Sequence, residues 1–373
     1  MIITFVKGGP AMPDCVYNAR DLRYKSKFGA VSAGEELRFS IALKRQIHCS
    51  AAFLVIREDS QPEEQYIPMY WSGMNGPDGE WWSISYAAPV PGLYWYHFEY
   101  DTPWGRGRVV CGERETGTAD GSTMFQLTAF DARFRTPDFL KGGVMYQIFP
   151  DRFYSSGTPK QNVPSDRILR TDRENLPEYR PDAQGTVRNN DYFGGDLKGI
   201  EKKLDYLKSL GVTCLYLNPI FEAHSNHRYN TADYTKIDPL LGTQSDFESL
   251  CRAAHTRGIS ILLDGVFSHT GSDSVYFNRE GRYGSGGAYR DANSPYRKWY
   301  DFKSWPNDYA SWWGIDTLPQ VIEEQPDYLD YITGPGGVLE KWMRAGADGW
   351  RLDVADELPD GYLDALRERV KAV

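Results

Sequence analysis

The sequence predicts a multidomain chain in which an all-β sandwich precedes an α/β region built on a parallel sheet. Three observations carry this. Over residues 1–135, short β-branched and aromatic runs are separated by turn signals at the spacing of a sandwich. From Val144 onward, apolar strand-like runs alternate with helical patterns, which with right-handed crossovers means a parallel sheet. Between the two lies "DARFRTPDFLKGG", a polar hinge that contains Pro137 and ends in two glycines.

In chain order, "LRFSIAL", "CSAAFLVIRE", "QYIPMYW", "EWWSISYAA" and "GLYWYHFEY" read as strands, and "SGMNGPDGE" and "PVPG" as turns. The expectation is an immunoglobulin-like sandwich over residues 1–135. In the second region "VMYQIF" is a strand followed by a long polar loop. "LKGIEKKLDYLKSLG" is a helix, "VTCLYLNPIF" a strand, and "SDFESLCRAAHTRG" a helix with a Ser N-cap and a Gly stop. "ISILLDGVF" is a buried strand, "GVLEKWMRAG" a helix, "ADGWRLDVA" a strand, and "LPDGYLDALRERVKAV" a helix with Pro359 near its start. Periodicity leaves a doubly wound sheet and a (β/α)8 barrel both open. Asp151, Asn218, Asp264, His269 and Asp353 fall at or just past strand C-terminal ends, where barrel loops place catalytic groups. No glycine-rich phosphate loop follows a strand.

Composition narrows the function classes. The formal charge is −9 over 373 residues, with Lys and Arg scattered, which excludes nucleic acid and anionic membrane as partners. Cys15, Cys49, Cys111, Cys214 and Cys251 are odd in number and form no C-x-x-C pair, which argues against a disulfide frame or zinc site and fits a reducing compartment. "MIITFVKGGP" holds too few apolar residues for a secretory leader, and no stretch approaches about 18 uninterrupted apolar residues. A cytoplasmic location is expected.

"LLDGVFSHTG" places Asp264 at the end of an apolar strand and His269 in the following loop, a pairing that by itself is more often structural than functional. In "DGWRLDVADE", Arg351 and Asp353 alternate by two and so share a face of a strand. An arginine there fixes the carboxylate's rotamer and keeps it ionised, which suits a nucleophile as well as a buried ion pair. Taken together, "GGVMYQIFPDRFYSSG", "YFGGDLKGI", "LGVTCLYLNPIFEAHSNHRYNTADYTKIDPLLG", "ILLDGVFSHTG" and "GADGWRLDVADE" resemble the alpha-amylase superfamily of glycoside hydrolases. Within it they look most like the neopullulanase, cyclomaltodextrinase and maltogenic amylase group.

The resemblance implies a (β/α)8 barrel over residues 136–373, with an insertion after the third strand at about 270–335. It makes Asp353 the nucleophile, Arg351 its orienting arginine and Asp264 the buried aspartate that supports the arginine. His269 would hydrogen-bond the sugar in the cleaved subsite, and Tyr229 would stack beneath it. Glu357 would lie on the leaving-group side of the cleft. Two departures touch the subgroup: Leu318 to Ile322 stand where neopullulanases read M-P-K-L-N, and Asp356 stands for Asn in V-A-N-E. No cofactor is required. A structural calcium site in some relatives maps to Asn162, Gly194 and Asp196, although Asp196 also reads as a plain helix N-cap and Ser268 replaces an Asn that often serves calcium.

Trp71, Trp81, Trp82, Trp95 and Trp104 are candidates for a glucan-stacking platform, or else for sandwich core. The family's general acid follows a fifth barrel strand, and the readable pattern stops after the fourth strand and helix. The chain is therefore expected to be half a barrel, without the acid, inactive and aggregation-prone alone. The function expected of the parent enzyme is retaining hydrolysis of α-1,4 or α-1,6 glucosidic bonds in an α-glucan, by a protein that is a homodimer. An α-glucosidase or glucanotransferase, or a non-catalytic glucan-binding protein, are the alternatives.

Overall fold

The computed structural model describes residues 15–161, 163–183 and 185–373, and divides into two compact units between Thr136 and Pro137. In the first, β1 (Glu36–Lys44), β2 (Ala51–Glu58), β3 (Gln65–Asn75), β4 (Gly79–Ala87), β5 (Gly92–Thr102), β6 (Gly105–Cys111) and β7 (Phe125–Phe130) form one connected sheet. Its order is β1-β4-β3-β2-β5-β7, with β6 also paired to β5. The sheet changes partner along β3: Gln65 to Met69 pair with β2, Tyr70 to Asn75 with β4, and the register shifts between Trp71 and Gly73. Pro68 falls in the half of β3 that has one neighbour, where a residue without an N–H is tolerated.

Phe39 on β1 packs on Tyr96 of β5 with ring centroids 5.1 Å apart. These strands are not neighbours in the sheet, so the contact is face to face and the unit has two layers. Along β7, Phe125, Leu127 and Ala129 point into that core and the residues between them out, the period of two that the sequence displays. Trp81 and Trp82 pack against the core, and the Trp95 indole donates to Asp59 at 2.6 Å. Trp71 and Trp104 are exposed. β6 and β7 were not among the runs read as strands. "GRGRVVC" is interrupted by glycines, and "FQLTAF" is a run of only six residues.

The second unit is built on parallel strands β8 (Val144–Ile148), β9 (Val212–Leu217), β10 (Ser260–Gly265) and β11 (Gly349–Leu352). They pair in the order β8-β9-β10-β11. Strand order follows chain order, without the reversal that defines a doubly wound sheet. Helices α1 (Leu197–Lys202), α2 (Leu204–Ser209), α3 (Gln244–His255), α4 (Pro326–Thr333), α5 (Val338–Arg344) and α6 (Asp360–Ala372) accompany it. Leu215, Leu217, Ile261 and Leu263 face the helices, in one core with Leu207, Phe247, Leu250 and Trp342. Cys214, Tyr216 and Leu262 form a separate small cluster on the other face. By alternation Asp264 shares that second face, and its register partner Arg351 does too.

Several elements differ from the sequence reading for local reasons. The helix expected over residues 197–211 is broken at Lys203 (φ −101°, ψ 3°) into α1 and α2. α3 is capped by Thr243, not Ser245: the Thr243 side chain and Asp246 exchange hydrogen bonds with each other's backbone N–H, a capping box that starts the helix two residues before the serine. "VTCLYLNPIF" stops being a strand at Leu217, because Pro219 has no N–H for the ladder. Phe221–Ala223 then pairs antiparallel with Thr231–Ile237. The segment at about 270–335, expected as a long insertion after the third strand, is a packed body: Phe277 stacks on Phe302 at 5.7 Å, Trp299 packs on Tyr328 at 5.0 Å, and it ends in α4. Among the described residues no helix is long and apolar enough to cross a membrane.

Phe39 is fully buried at the meeting of the layers. Phe39→Ala should lower the unfolding free energy of the first unit by about 3–5 kcal/mol, measured by urea denaturation. A loss below about 1 kcal/mol would contradict the two-layer packing.

Candidate active site

The C-terminal ends of β9, β10 and β11 bring one charged cluster together. Asp264 is the penultimate residue of β10, with its side chain removed from solvent. Parallel pairing sets it opposite Arg351 on β11, and Arg351 Nη1 donates to Asp264 Oδ1 at 2.9 Å. The same nitrogen donates to Asp353 Oδ1 at 2.6 Å. One guanidinium nitrogen thus ties a buried carboxylate to a more open one, whose side chain is 14% exposed.

The other oxygen of Asp264 takes hydroxyls. Tyr216, on the inner face of β9, donates at 2.5 Å and Tyr229 at 3.0 Å. Tyr229 also receives the Asn218 amide at 3.3 Å. Burial pushes the Asp264 carboxyl up from its ordinary value, against the opposing pull of Tyr216 and Arg351. Burial likewise raises the Tyr229 phenol to about 12. Both tyrosines therefore keep the protons with which they donate.

Asp353 N–H donates to Gly265 O at 3.0 Å, carrying the ladder one residue past β11. The chain then turns at Val354, which sits in the left-handed region at φ 44°. A β-branched residue there costs about 1–3 kcal/mol and is an outlier of the kind found where a side chain must be aimed.

His269 is buried beside this cluster. Its Nε2 faces the Tyr229 carbonyl at 3.2 Å, so that nitrogen carries the proton, and Nδ1 accepts from Ser268 Oγ at 2.9 Å. Ser268, standing where an Asn was expected, serves the histidine's tautomer. Burial lowers the His269 pKa from its ordinary value, and it lowers His227, which accepts the Tyr229 N–H on Nδ1, to about 4.

The calcium expectation does not fit. Asp196 is the N-cap of α1, accepting from Gly199 N–H, and it also takes Ser156 N–H at 3.1 Å and Ser156 Oγ at 2.8 Å. The Lys160 ammonium bonds the same carboxylate, in the position a cation would take. Gly194 N–H goes to Asp151 at 3.1 Å, and Asn162 lies outside the described residues. Among the described residues there is no group of three or more His, Cys, Asp or Glu placed to hold a metal.

Glu357 does not present a free carboxylate. Its Oε2 accepts the Trp312 indole N–H at 2.8 Å and its Oε1 that of Trp313 at 3.0 Å. The loop carboxylates Glu222, Asp233 and Asp316 are engaged by Tyr283, Lys236 and Arg279 respectively. Tyr216, Trp312 and Trp313 were missed in the sequence. Tyr216 reads as core inside "VTCLYL", and its parity with Cys214, opposite to Leu215 and Leu217, was the usable signal.

Residues 147–370 match the family model "Alpha amylase, catalytic domain". The chain is 38% identical over 399 residues to an amylopullulanase of Thermoanaerobacterium saccharolyticum, covering 96% of this chain and 31% of that protein. It is 36% identical to neopullulanase 2 of Thermoactinomyces vulgaris over 247 residues, 64% of this chain and 38% of that one. The chain thus spans about a third of the length of these curated relatives. Among solved structures, a cyclomaltodextrinase is similar with a TM-score of 0.59 at 25% identity, covering 96% of this chain and 59% of that one. The cyclic alpha-maltosyl-(1→6)-maltose hydrolase of Arthrobacter globiformis is similar with a TM-score of 0.51 at 33% identity, over 63% of this chain and 49% of that one.

With the ring pKa of His227 depressed to about 4 from 6.5, the unfolded chain binds a proton the folded chain refuses. The stability this contributes is whole above pH 6.5 and is lost as pH falls toward 4. His227→Gln should flatten the acid-side loss of unfolding free energy by about 1 kcal/mol per pH unit below about pH 6, read from urea melts at stepped pH. Parallel curves for the two proteins would contradict the burial assigned to this ring.

Proposed function

This chain belongs to the alpha-amylase family, and on that premise we propose that it is the nucleophile-bearing part of a retaining α-glucan glycoside hydrolase. The observation that carries the reading is Arg351 Nη1 held between Asp264 and Asp353. An ionised, aimed carboxylate at a strand's C-terminal end is what attack on an anomeric carbon requires.

In this reading Asp353 attacks the anomeric carbon from the face opposite the leaving oxygen, forming a glycosyl ester that water then hydrolyses. Arg351 fixes the attacking oxygen's direction. Asp264 acts through Arg351 and does not touch substrate. Tyr229 and His269 line the subsite of the sugar being transferred. Retention needs a second carboxyl group about 5–5.5 Å from the first, and its raised pKa needs surroundings unlike the Arg-paired ones of Asp353. The β8-β9-β10-β11 sheet is read as the first half of a (β/α)8 barrel, and we infer that the acid is not among these 373 residues.

The names of the relatives, amylopullulanase and neopullulanase, support α-1,4 and α-1,6 linked glucans as substrates. Glucan transfer or α-glucosidase action would use the same nucleophile and differ in the loops. The first unit is read as a glucan-binding sandwich through exposed Trp71 and Trp104. A cytoplasmic site of action agrees with five free cysteines and with the intracellular maltogenic amylase of Bacillus subtilis, 36% identical over 244 residues. A homodimeric whole enzyme is part of the same reading.

α-Maltosyl fluoride tests the nucleophile without the acid, because fluoride leaves with no proton donor. The 373-residue chain should gain one maltosyl group by intact mass, mapped to the peptide carrying Asp353 and absent in Asp353→Asn. It should release no reducing sugar from maltotriose. Labelling elsewhere, or none, would contradict Asp353 as nucleophile, and turnover of maltotriose would contradict the missing acid.

A further inference from the structure

Trp313 combines three properties that a core tryptophan does not have. It is 77% exposed. It lies in the left-handed region at φ 52°, a conformation that a bulky aromatic adopts only where surrounding contacts hold it. Its indole is stacked on Trp312 with centroids 5.0 Å apart and planes 15° apart. Trp312 in turn lies 5.3 Å from the His269 ring, tilted by 31°. The three rings form a staircase that starts at the buried histidine and ends in solvent.

The staircase is fastened from both sides of the cluster. Trp312 N–H donates to Leu318 O at 2.9 Å and Thr270 N–H to Pro319 O at 3.1 Å, and His269 bridges Gln320. This pins the loop that carries both tryptophans to the histidine. From the other side comes Glu357, four residues beyond Asp353. Its two oxygens take the two indole N–H groups at 2.8 and 3.0 Å. Each indole's one polar group is therefore satisfied edge-on. What Trp313 turns to water is an apolar ring face with its other face covered by Trp312.

We propose that the outer face of Trp313 is a glucose-stacking subsite of the glucan cleft, outward from His269, and that Glu357 is a positioning residue that clamps Trp312 and Trp313 and does not itself bond the sugar. An indole face of this kind matches the C–H face of a pyranose. A charged clamp explains why the pair holds its strained, solvent-facing pose, where a free indole would fold onto the protein surface. The subsite rests on the α-glucan reading above, and it selects for ligands long enough to reach from the His269 subsite to Trp313.

Calorimetric titration of the full chain with maltoheptaose tests it, with Tyr229→Ala as the reference for the inner subsite. Trp313→Ala should bind about tenfold or more weakly, and Trp313→Phe should recover most of that, keeping a ring face. Glu357→Ala should weaken binding as Trp313→Ala does, and should abolish the near-ultraviolet circular dichroism couplet of the stacked indoles. Glu357→Gln, which keeps one of the two acceptors, should recover binding and the couplet only in part, while far-ultraviolet spectra stay unchanged throughout. If Tyr229→Ala weakens binding and Trp313→Ala does not, the subsite is wrong and the glucan reading stands. If Trp313→Ala weakens binding and Glu357→Ala does not, the clamp is wrong. If the unmodified chain binds no maltoheptaose, the subsite and the glucan reading both fall.

Discussion

Arg351 donates from one nitrogen to both Asp264 and Asp353, and most of what surrounds this contact exists to hold it. Parallel pairing of β10 with β11 in the register Asp264 to Arg351 is the first requirement. A slip by one residue would send Asp264 into the helix-facing core, where Leu263 now packs, and turn the arginine with it. The second requirement is that Asp264, with no solvent, be fully satisfied. Tyr216 and Tyr229 meet its second oxygen, each from a different element. A buried carboxylate left with an empty oxygen would favour its proton over its arginine, and the guanidinium would then be free to leave Asp353.

From this contact outward, each neighbour is held by hydrogen bonds that suit a polar ligand's cleft. Asn218 steadies Tyr229, the Tyr229 carbonyl fixes the protonated nitrogen of His269, and Ser268 fixes the other. Two of the left-handed non-glycine residues lie in the same place, Val354 after Asp353 and Trp313 beside Glu357. Away from it, Lys160 on Asp196 shows a different solution to a common problem. An internal ammonium can tie a loop to a helix N-cap where other proteins use an oxygen-loving divalent ion, and it does so without six to eight oxygen ligands.

The strand-end carboxylates were legible because strand alternation and order are properties of short stretches. Arg351 and Asp353, two apart, needed no knowledge of the fold to be placed on a common face, whereas Asp264, at the end of an apolar run, was joined to them through the family resemblance and by the strand register. The alternation of β7 and the capping box of α3 were equally local, yet were missed or misassigned by one rule outweighing another: a serine near an apolar run drew the cap away from Thr243. What could not be read was contact between distant segments. Trp312, Trp313 and Glu357 lie some 45 residues apart in sequence and meet edge to edge. Asp196 shows the same limit, since its ion-pair partner, Lys160, lies 36 residues upstream in a loop with no pattern of its own.

The shared guanidinium can be weighed by equilibrium urea unfolding of Arg351→Met beside the triple variant that also carries Asp264→Asn and Asp353→Asn. Removing the arginine alone leaves Asp264 charged and buried, which should cost about 2–3 kcal/mol, less than for a wholly buried pair because Arg351 is 38% exposed. Neutralising both carboxylates in the triple variant should recover most of that loss. A single variant within about 0.5 kcal/mol of the unmodified chain, or a triple variant no better than the single, would contradict an arginine that binds the two carboxylates into one unit.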